Sequence, residues 1–281
     1  MRWRGRSRRL LLGAAALLGL ARTAYVIPSR AAATADRAGT APYAGIEALF
    51  DAARPRFADW LSCIEALGAD LSLIGGDPAP APRWSQDWFP RLDAAMAYAA
   101  VRQLRPARIV EIGSGHSTRF LARAVADGGL ATTLTAIDPV PRANLDGVPG
   151  VAHRAETVQA AGLTPFAALA AGDMLVIDSS HVLMPGSDVD MLLNRVLPSL
   201  PPGVFVHVHD IFLPDDYPAD WHWRGYNEQL AVALLLQGGW TVEFASHYVA
   251  TRMGHAIAQG IVAALPAVEG ARETSLWMVR R

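Results

Sequence analysis

The stretch that most constrains the fold is residues 108–118, which read RIVEIGSGHST. Ile109, Val110 and Ile112 form a short β-branched apolar run, which suits a strand buried on both faces. Gly113-Ser114-Gly115 breaks that run, and Phe120, Leu121 and Val125 then recur at helical spacing. A strand that stops at glycines and re-enters as a helix presents unpaired backbone N–H groups at the helix start. The glycines let a ligand approach the main chain closely. Glu111 stands at the carboxyl end of this strand, the edge where open α/β sheets bind ligands. These features predict a nucleotide-type pocket.

The text after the turn alternates regularly. Short apolar runs at 134–137, 151–153, 174–177, 204–208, 241–245 and 275–280 read as strands, and 161–170, 189–197 and 228–236 as helices. Strands alternating with helices predict an α/β fold with a doubly wound, mostly parallel seven-stranded sheet. Upstream, 46–67 carries apolar residues at helical spacing, 75–82 is a Gly/Pro linker, and a second helix is expected at 93–104. Trp84, Trp88 and Phe89, between linker and helix, either cap the pocket or pack that helix onto the sheet. With 281 residues and 52% hydrophobic content, one domain with extensions is expected. The divisions are a leader at 1–35, a helical extension and linker at 36–83, and the sheet domain at 84–281.

The net charge of −1 argues against a nucleic-acid partner, which calls for a basic stripe. All 25 basic residues are arginine, a sign of GC-rich bacterial coding rather than of function. Cys63 is the single cysteine, so an intrachain disulfide and a cysteine zinc site are both ruled out. Arg2, Arg4, Arg6, Arg8 and Arg9 precede an apolar run at 10–20. That leader reads as an export signal, as an interfacial segment whose arginines meet anionic headgroups at the inner membrane, or as a loosely ordered leader. A domain using a cytosolic cofactor is expected in the cytoplasm, with inner-membrane surface contact through the leader.

Thr118 stands where a dinucleotide fingerprint has its third glycine, and no Gly-Lys-Ser/Thr triphosphate loop is present. Asp138 ends the second strand about 20 residues past the turn, where a carboxylate accepts hydrogen bonds from ribose hydroxyls or, equally, shapes the turn before Pro139. Glu111-Ile112-Gly113-Ser114-Gly115 together with Asp138 resembles motifs I and II of the class I S-adenosylmethionine-dependent methyltransferases. The likeness extends over about 84–281 and is nearest the bacterial macrocin O-methyltransferase-like and cephalosporin hydroxylase-like proteins. That resemblance implies a Rossmann-like methyltransferase fold and S-adenosylmethionine as cofactor. It places Glu111, Gly113 and Gly115 near the methionine part, Asp138 at the ribose and Glu156 and Thr157 near the adenine, with Ser117 and Asp178 also among the cofactor-binding residues.

A second constellation gathers at later strand ends: Asp178 and His181 after the fourth, His207, His209 and Asp210 at the fifth. Strand alternation puts His207 and His209 on one face and turns Asp210 away. The resemblance implies a divalent metal at Asp178, His209 and Asp210. His209 replaces the usual acid there and favours a transition metal over magnesium. Without a metal, His181 or His209 is the candidate base, so Asp178, His181, His209 and Asp210 are the candidate catalytic residues. The aromatic loop at 212–227 reads as a substrate lid or as a packed loop, with Asn227 as a cap for the next helix; His247-Tyr248 is a further candidate for the pocket. The expected activity is methyl transfer to an oxygen of a small molecule. The alternatives are a nicotinamide-dependent oxidoreductase and a membrane-attached, non-catalytic binding protein.

Overall fold

In a computed structural model, residues 10, 11, 13–15, 18 and 41–280 are described, so the leader reading lies outside them apart from those six positions. No helix among the described residues is long and apolar enough to cross a membrane. Seven strands, β1 Arg108–Ile112, β2 Thr133–Ile137, β3 Val151–Arg154, β4 Met174–Ile177, β5 Phe205–Val208, β6 Trp240–Ala245 and β7 Leu276–Arg280, form one sheet. Their order is β3-β2-β1-β4-β5-β7-β6, with β7 antiparallel to both neighbours. β4 and most of β1 are buried, as continuous Ile/Val/Leu text requires of strands covered on both faces.

The register decides where the chemistry falls. Ile112 pairs with Ile137 on one side and Ile177 on the other, and Ile177 pairs with Val208. The next residue of each strand, Gly113, Asp138, Asp178 and His209, therefore emerges at one level along the carboxyl edge. Order reverses between β1 and β4, the switch point at which doubly wound sheets open a crevice.

Helix α1 (Ala44–Ala66) buries Ile46, Phe50, Ala53, Phe57, Trp60 and Ile64, a stripe with alternating steps of four and three. Phe50 and Phe57 meet Phe244 and Tyr248 edge to face, which pins the extension to the β6 end of the sheet. Helix α2 (Arg91–Leu104) is buried from Leu92 through Val101, because its alanines let neighbouring layers approach on every side. Helix α3 (His116–Asp127) follows the glycine turn.

Some expectations need correction. The helix expected at 161–170 stops at Val158–Ala161, because Gly162 takes a φ of 67° and Pro165 enters a 3-10 turn. The helix expected at 189–197 is one α-turn, α4 (Asp188–Met191), capped by Ser187 and continuing as a π-turn over Leu192–Val196. Helix α5 (Glu228–Gln237) agrees with its reading, whereas α6 (Ser246–Arg252) was not anticipated.

Candidate active site

The first cavity, about 370 Å³, opens at the switch point. Gly113, Ser114, Ile137, Asp138, Thr157 and Asp178 are among its walls. Gly113 has a φ of 76°, and a Cβ there would come within 2.1 Å of the Asp178 carbonyl oxygen, so only glycine fits. Asp138 braces the turn: one carboxylate oxygen accepts the Ser114 N–H (2.8 Å) and hydroxyl (3.1 Å), the other the Val140 N–H (2.8 Å). The carboxylate still faces the cavity, so its turn-forming and ligand-facing roles coexist. Apolar walls, a bare glycine edge and one carboxylate suit a nucleoside-sized ligand.

The other expected cofactor residues stand behind this wall. Glu111 is fully buried, accepts the Ser117 hydroxyl at 2.6 Å and carries its second oxygen unpaired; burial pushes its carboxyl up to about 8. Gly115 gives its N–H to the Thr118 hydroxyl (2.9 Å), closing the helix start. Glu156 pairs with Arg154 at 2.6 Å, whereas Thr157, expected beside it, lines the cavity together with Val158 and Gln159. His116 is buried in the turn with Nδ1 unpaired, and burial together with Arg119 and Arg83 lowers its pKa to about 4.

The second cavity, about 320 Å³, shares Arg142, Asp178, Ser179 and Ser180 with the first. On its inner side four carboxylates surround two imidazoles. His181 Nε2 lies 3.1 Å from Asp178 and 3.4 Å from Asp210, and its Nδ1 lies 2.9 Å from Glu228. His209 Nδ1 lies 3.7 Å from both Asp178 and Asp210, and its Nε2 3.5 Å from Asp93. Burial opposes charge on both imidazoles, but the hydrogen bonds and negative charge of these carboxylates outweigh it and raise both well above 6.5. Burial likewise opposes the Asp178 anion, yet His181 and His209 hold its carboxyl well below 3.8. Asp178 is the open member, 39% exposed where Glu228 and Asp93 are 0%.

Backbone geometry corrects the expected direction of Asp210. Its φ of 56° turns the carboxylate back into the cluster, where the Thr274 hydroxyl also reaches it at 3.3 Å. His207 does share a face with His209, but it is a packing residue: burial and the His209 charge push it down to about 3, and it bonds the Ser275 hydroxyl at 2.8 Å. Asn227 does not cap α5; its side chain accepts the Leu183 N–H at 2.6 Å and ties down the loop after β4. His247 bonds Asp215 at 2.8 Å, and Tyr248 is buried under α1, so neither faces either cavity.

The donor set does not fit the expected metal. His181 sits between Asp178 and Asp210 with its ring nitrogens 3.1 Å from Asp178 and 2.9 Å from Glu228, and the His209 ring nitrogens lie 3.5–3.7 Å from carboxylates, so imidazole occupies the space between the acids that a cation would need. Among the described residues no group of three or more His, Cys, Asp or Glu side chains is arranged to hold one.

Glu228 and Asp93 escaped the sequence reading, although each is a lone acid in the first turn of an otherwise apolar helix. Trp84 and Phe89 pack inward, against Phe120 and the β5 histidines. Trp88 faces the second cavity, with Arg142 stacked 3.8 Å from its ring.

No curated protein matches the chain. Three solved structures share its outline: an O-methyltransferase, itself so assigned provisionally, from Klebsiella pneumoniae (18% identity, 79% of this chain and 89% of that one, TM-score 0.42), an O-methyltransferase from Bacillus cereus in complex with SAH (16%, 79% and 91%, 0.43), and the plantazolicin methyltransferase BpumL with SAH (14%, 84% and 98%, 0.43). Residues 110–211, from within β1 to just past β5, match the family model described as a methyltransferase domain. That match runs from β1 to β5 and takes in the strand ends that line the first cavity, and this segment is an S-adenosylmethionine-dependent methyltransferase domain with the class I fold.

Proposed function

We propose that this methyltransferase acts on a hydroxyl of a small molecule, with the donor in the first cavity and the acceptor in the second. The observation that carries this reading is that the two cavities meet at Asp178, the most exposed carboxylate of the cluster. S-adenosylmethionine, when bound, supplies the sulfonium methyl. The chain supplies position and proton handling. Asp138 and the Gly113 edge hold the nucleoside, and Asp178 accepts the hydrogen bond of the acceptor O–H and aims its oxygen across the junction. His181 and His209 fix the Asp178 carboxylate and take up the proton when one of them is neutral. Glu228 and Asp93 orient the two rings from behind. No step needs a metal. The domain belongs in the cytoplasm, where the donor is made, and fractionation tests that placement.

The deciding experiment pairs calorimetry with turnover. S-adenosylhomocysteine (SAH) should bind and a nicotinamide dinucleotide should not, and a hydroxyl-compound screen should release SAH. Asp178→Asn should then lose about 10²–10⁴ in kcat with SAH affinity retained. Nucleotide binding with the opposite preference, or full turnover in Asp178→Asn, would defeat the reading.

A further inference from the structure

The far wall of the second cavity is cationic and aromatic. Arg224 and Arg272 both line it, beside Trp221, Tyr226 and the small residues Gly270 and Ala271. The Arg224 guanidinium lies 4.0 Å from the centre of the Trp221 ring and 5.3 Å from that of Tyr226, and the Arg272 guanidinium lies 5.7 Å from the same indole. Two like charges therefore share one ring, and Asp220 offsets one of them by accepting from Arg272 Nη2 with both carboxylate oxygens. Their hydrogen bonding is also incomplete. Arg224 gives Nη1 to the Tyr226 hydroxyl (3.1 Å), and Arg272 gives Nη2 to Asp220 (3.0 Å), a residue whose side chain is 65% exposed. Arg224 Nε and Arg272 Nη1 are buried with no hydrogen-bond partner. Each guanidinium thus has more N–H donors than partners, and two half-buried cations on one cavity wall favour an anion in the space they line. The opposite end of the same cavity holds Asp178, Asp210 and His209. The space is thus bipolar, with proton-accepting carboxylates inside and guanidinium donors outside.

We propose that the acceptor is an anionic hydroxyl compound, whose carboxylate or phosphate is held by Arg224 and Arg272 while its ring or chain lies against Trp221. This rests on the reading of the second cavity as the acceptor site. Guanidinium forks match both oxyanions, and the indole selects a flat or apolar body between anion and hydroxyl. An ammonium-bearing acceptor is disfavoured at this wall by like charge.

The test is titration calorimetry on the SAH-loaded protein with 3,4-dihydroxybenzoate, its neutral isostere 3,4-dihydroxybenzamide, and phenyl phosphate. At least one anion should bind about tenfold or more tightly than the amide, as charge-assisted bonds to arginine allow. Phenyl phosphate binding tighter than the benzoate assigns the site to phosphates, and the reverse order to carboxylates. In Arg224→Gln/Arg272→Gln the preference should vanish while SAH affinity stays at the wild-type value. If that double variant loses SAH binding, Arg272→Gln alone carries the comparison, because its side chain is 35% exposed. Equal affinity for acid and amide, binding of no anion, or a preference that survives the substitutions overturns the proposal. Failure of SAH itself to bind would instead defeat the methyltransferase reading.

Discussion

The two cavities meet at Asp178 but are built in opposite ways. The first is made by short-range chain geometry: a glycine that tolerates no Cβ, a carboxylate from the end of the adjacent strand bracing the turn, and residues immediately past strand ends. The second draws on segments far apart in the chain, around residues 87, 181, 210, 224 and 272, and is held by charge. Shape fixes the first and electrostatics the second. The first should therefore fail abruptly when its backbone is disturbed and ignore pH, while the second should respond gradually to pH and to single charges.

The sharpest break is Gly113→Ala. The new Cβ would overlap the Asp178 carbonyl oxygen, and the residue would hold a φ of 76°. Strain and displacement together cost several kcal/mol, roughly 3 or more. Because the displaced strand end carries Asp178, both cavities should be lost at once. SAH titration should show affinity down by more than about 100-fold, and thermal melting a lower Tm. A variant that binds SAH normally would mean that backbone shape does not define the first cavity.

This contrast explains what could be read without coordinates. Gly113, Asp138 and Asp178 follow apolar runs directly, so pattern and register together put them at one edge. The roles of Glu228 and Asp93 depend on where α5 and α2 begin, α5 against the loop after β4 and α2 against the segment before β7, and no local pattern encodes that docking. The direction of Asp210 depends on a single left-handed φ, and β alternation predicts the wrong one. Arg272 lies just before β7 and reaches the acceptor wall because β7 inserts between β5 and β6, pairing Phe205 with Val279 across the intervening helix and β6. Local rules reached the donor side, whereas the acceptor side needed the topology.

The charge cluster gives the next test. Both imidazoles are raised above 6.5, so at lower pH they are protonated and cannot receive the acceptor's proton. The rate kcat/KM should rise with pH and inflect above 6.5, while SAH affinity stays flat over the same range. Glu228→Gln removes one of the charges that raise His181, so the inflection should move to lower pH, by an amount on the order of one unit. An inflection that does not move would take His181 out of proton handling. Since the imidazoles fill the place of the expected cation, turnover should also be undiminished in excess EDTA, and a chelation-sensitive rate would reverse that reading.

The smallest expected effect concerns the loop that carries the acceptor wall. Asp215 bonds His247 (2.8 Å) and Arg252 (2.6 Å), anchoring residues 212–227 to α6. Burial opposes the Asp215 anion, but His247 and Arg252 hold its carboxyl down at about 2 against an ordinary 3.8. A lowered carboxyl stabilises the folded state above the ordinary value, so this contribution is full at neutral pH and is lost as pH falls from 3.8 toward 2. The group is partly solvated, so the contribution is at most about 1 kcal/mol. Asp215→Asn should lower Tm by a few degrees, roughly 2–4 °C, at pH 7 and should flatten the acid limb of the stability curve. It should raise KM for the anionic acceptor with SAH affinity intact, because the loop holds Trp221 and Arg224 but no wall of the first cavity. An equal loss at both sites would mean that the loop supports the whole carboxyl edge, and the division between a cavity set by shape and one set by charge would fail there.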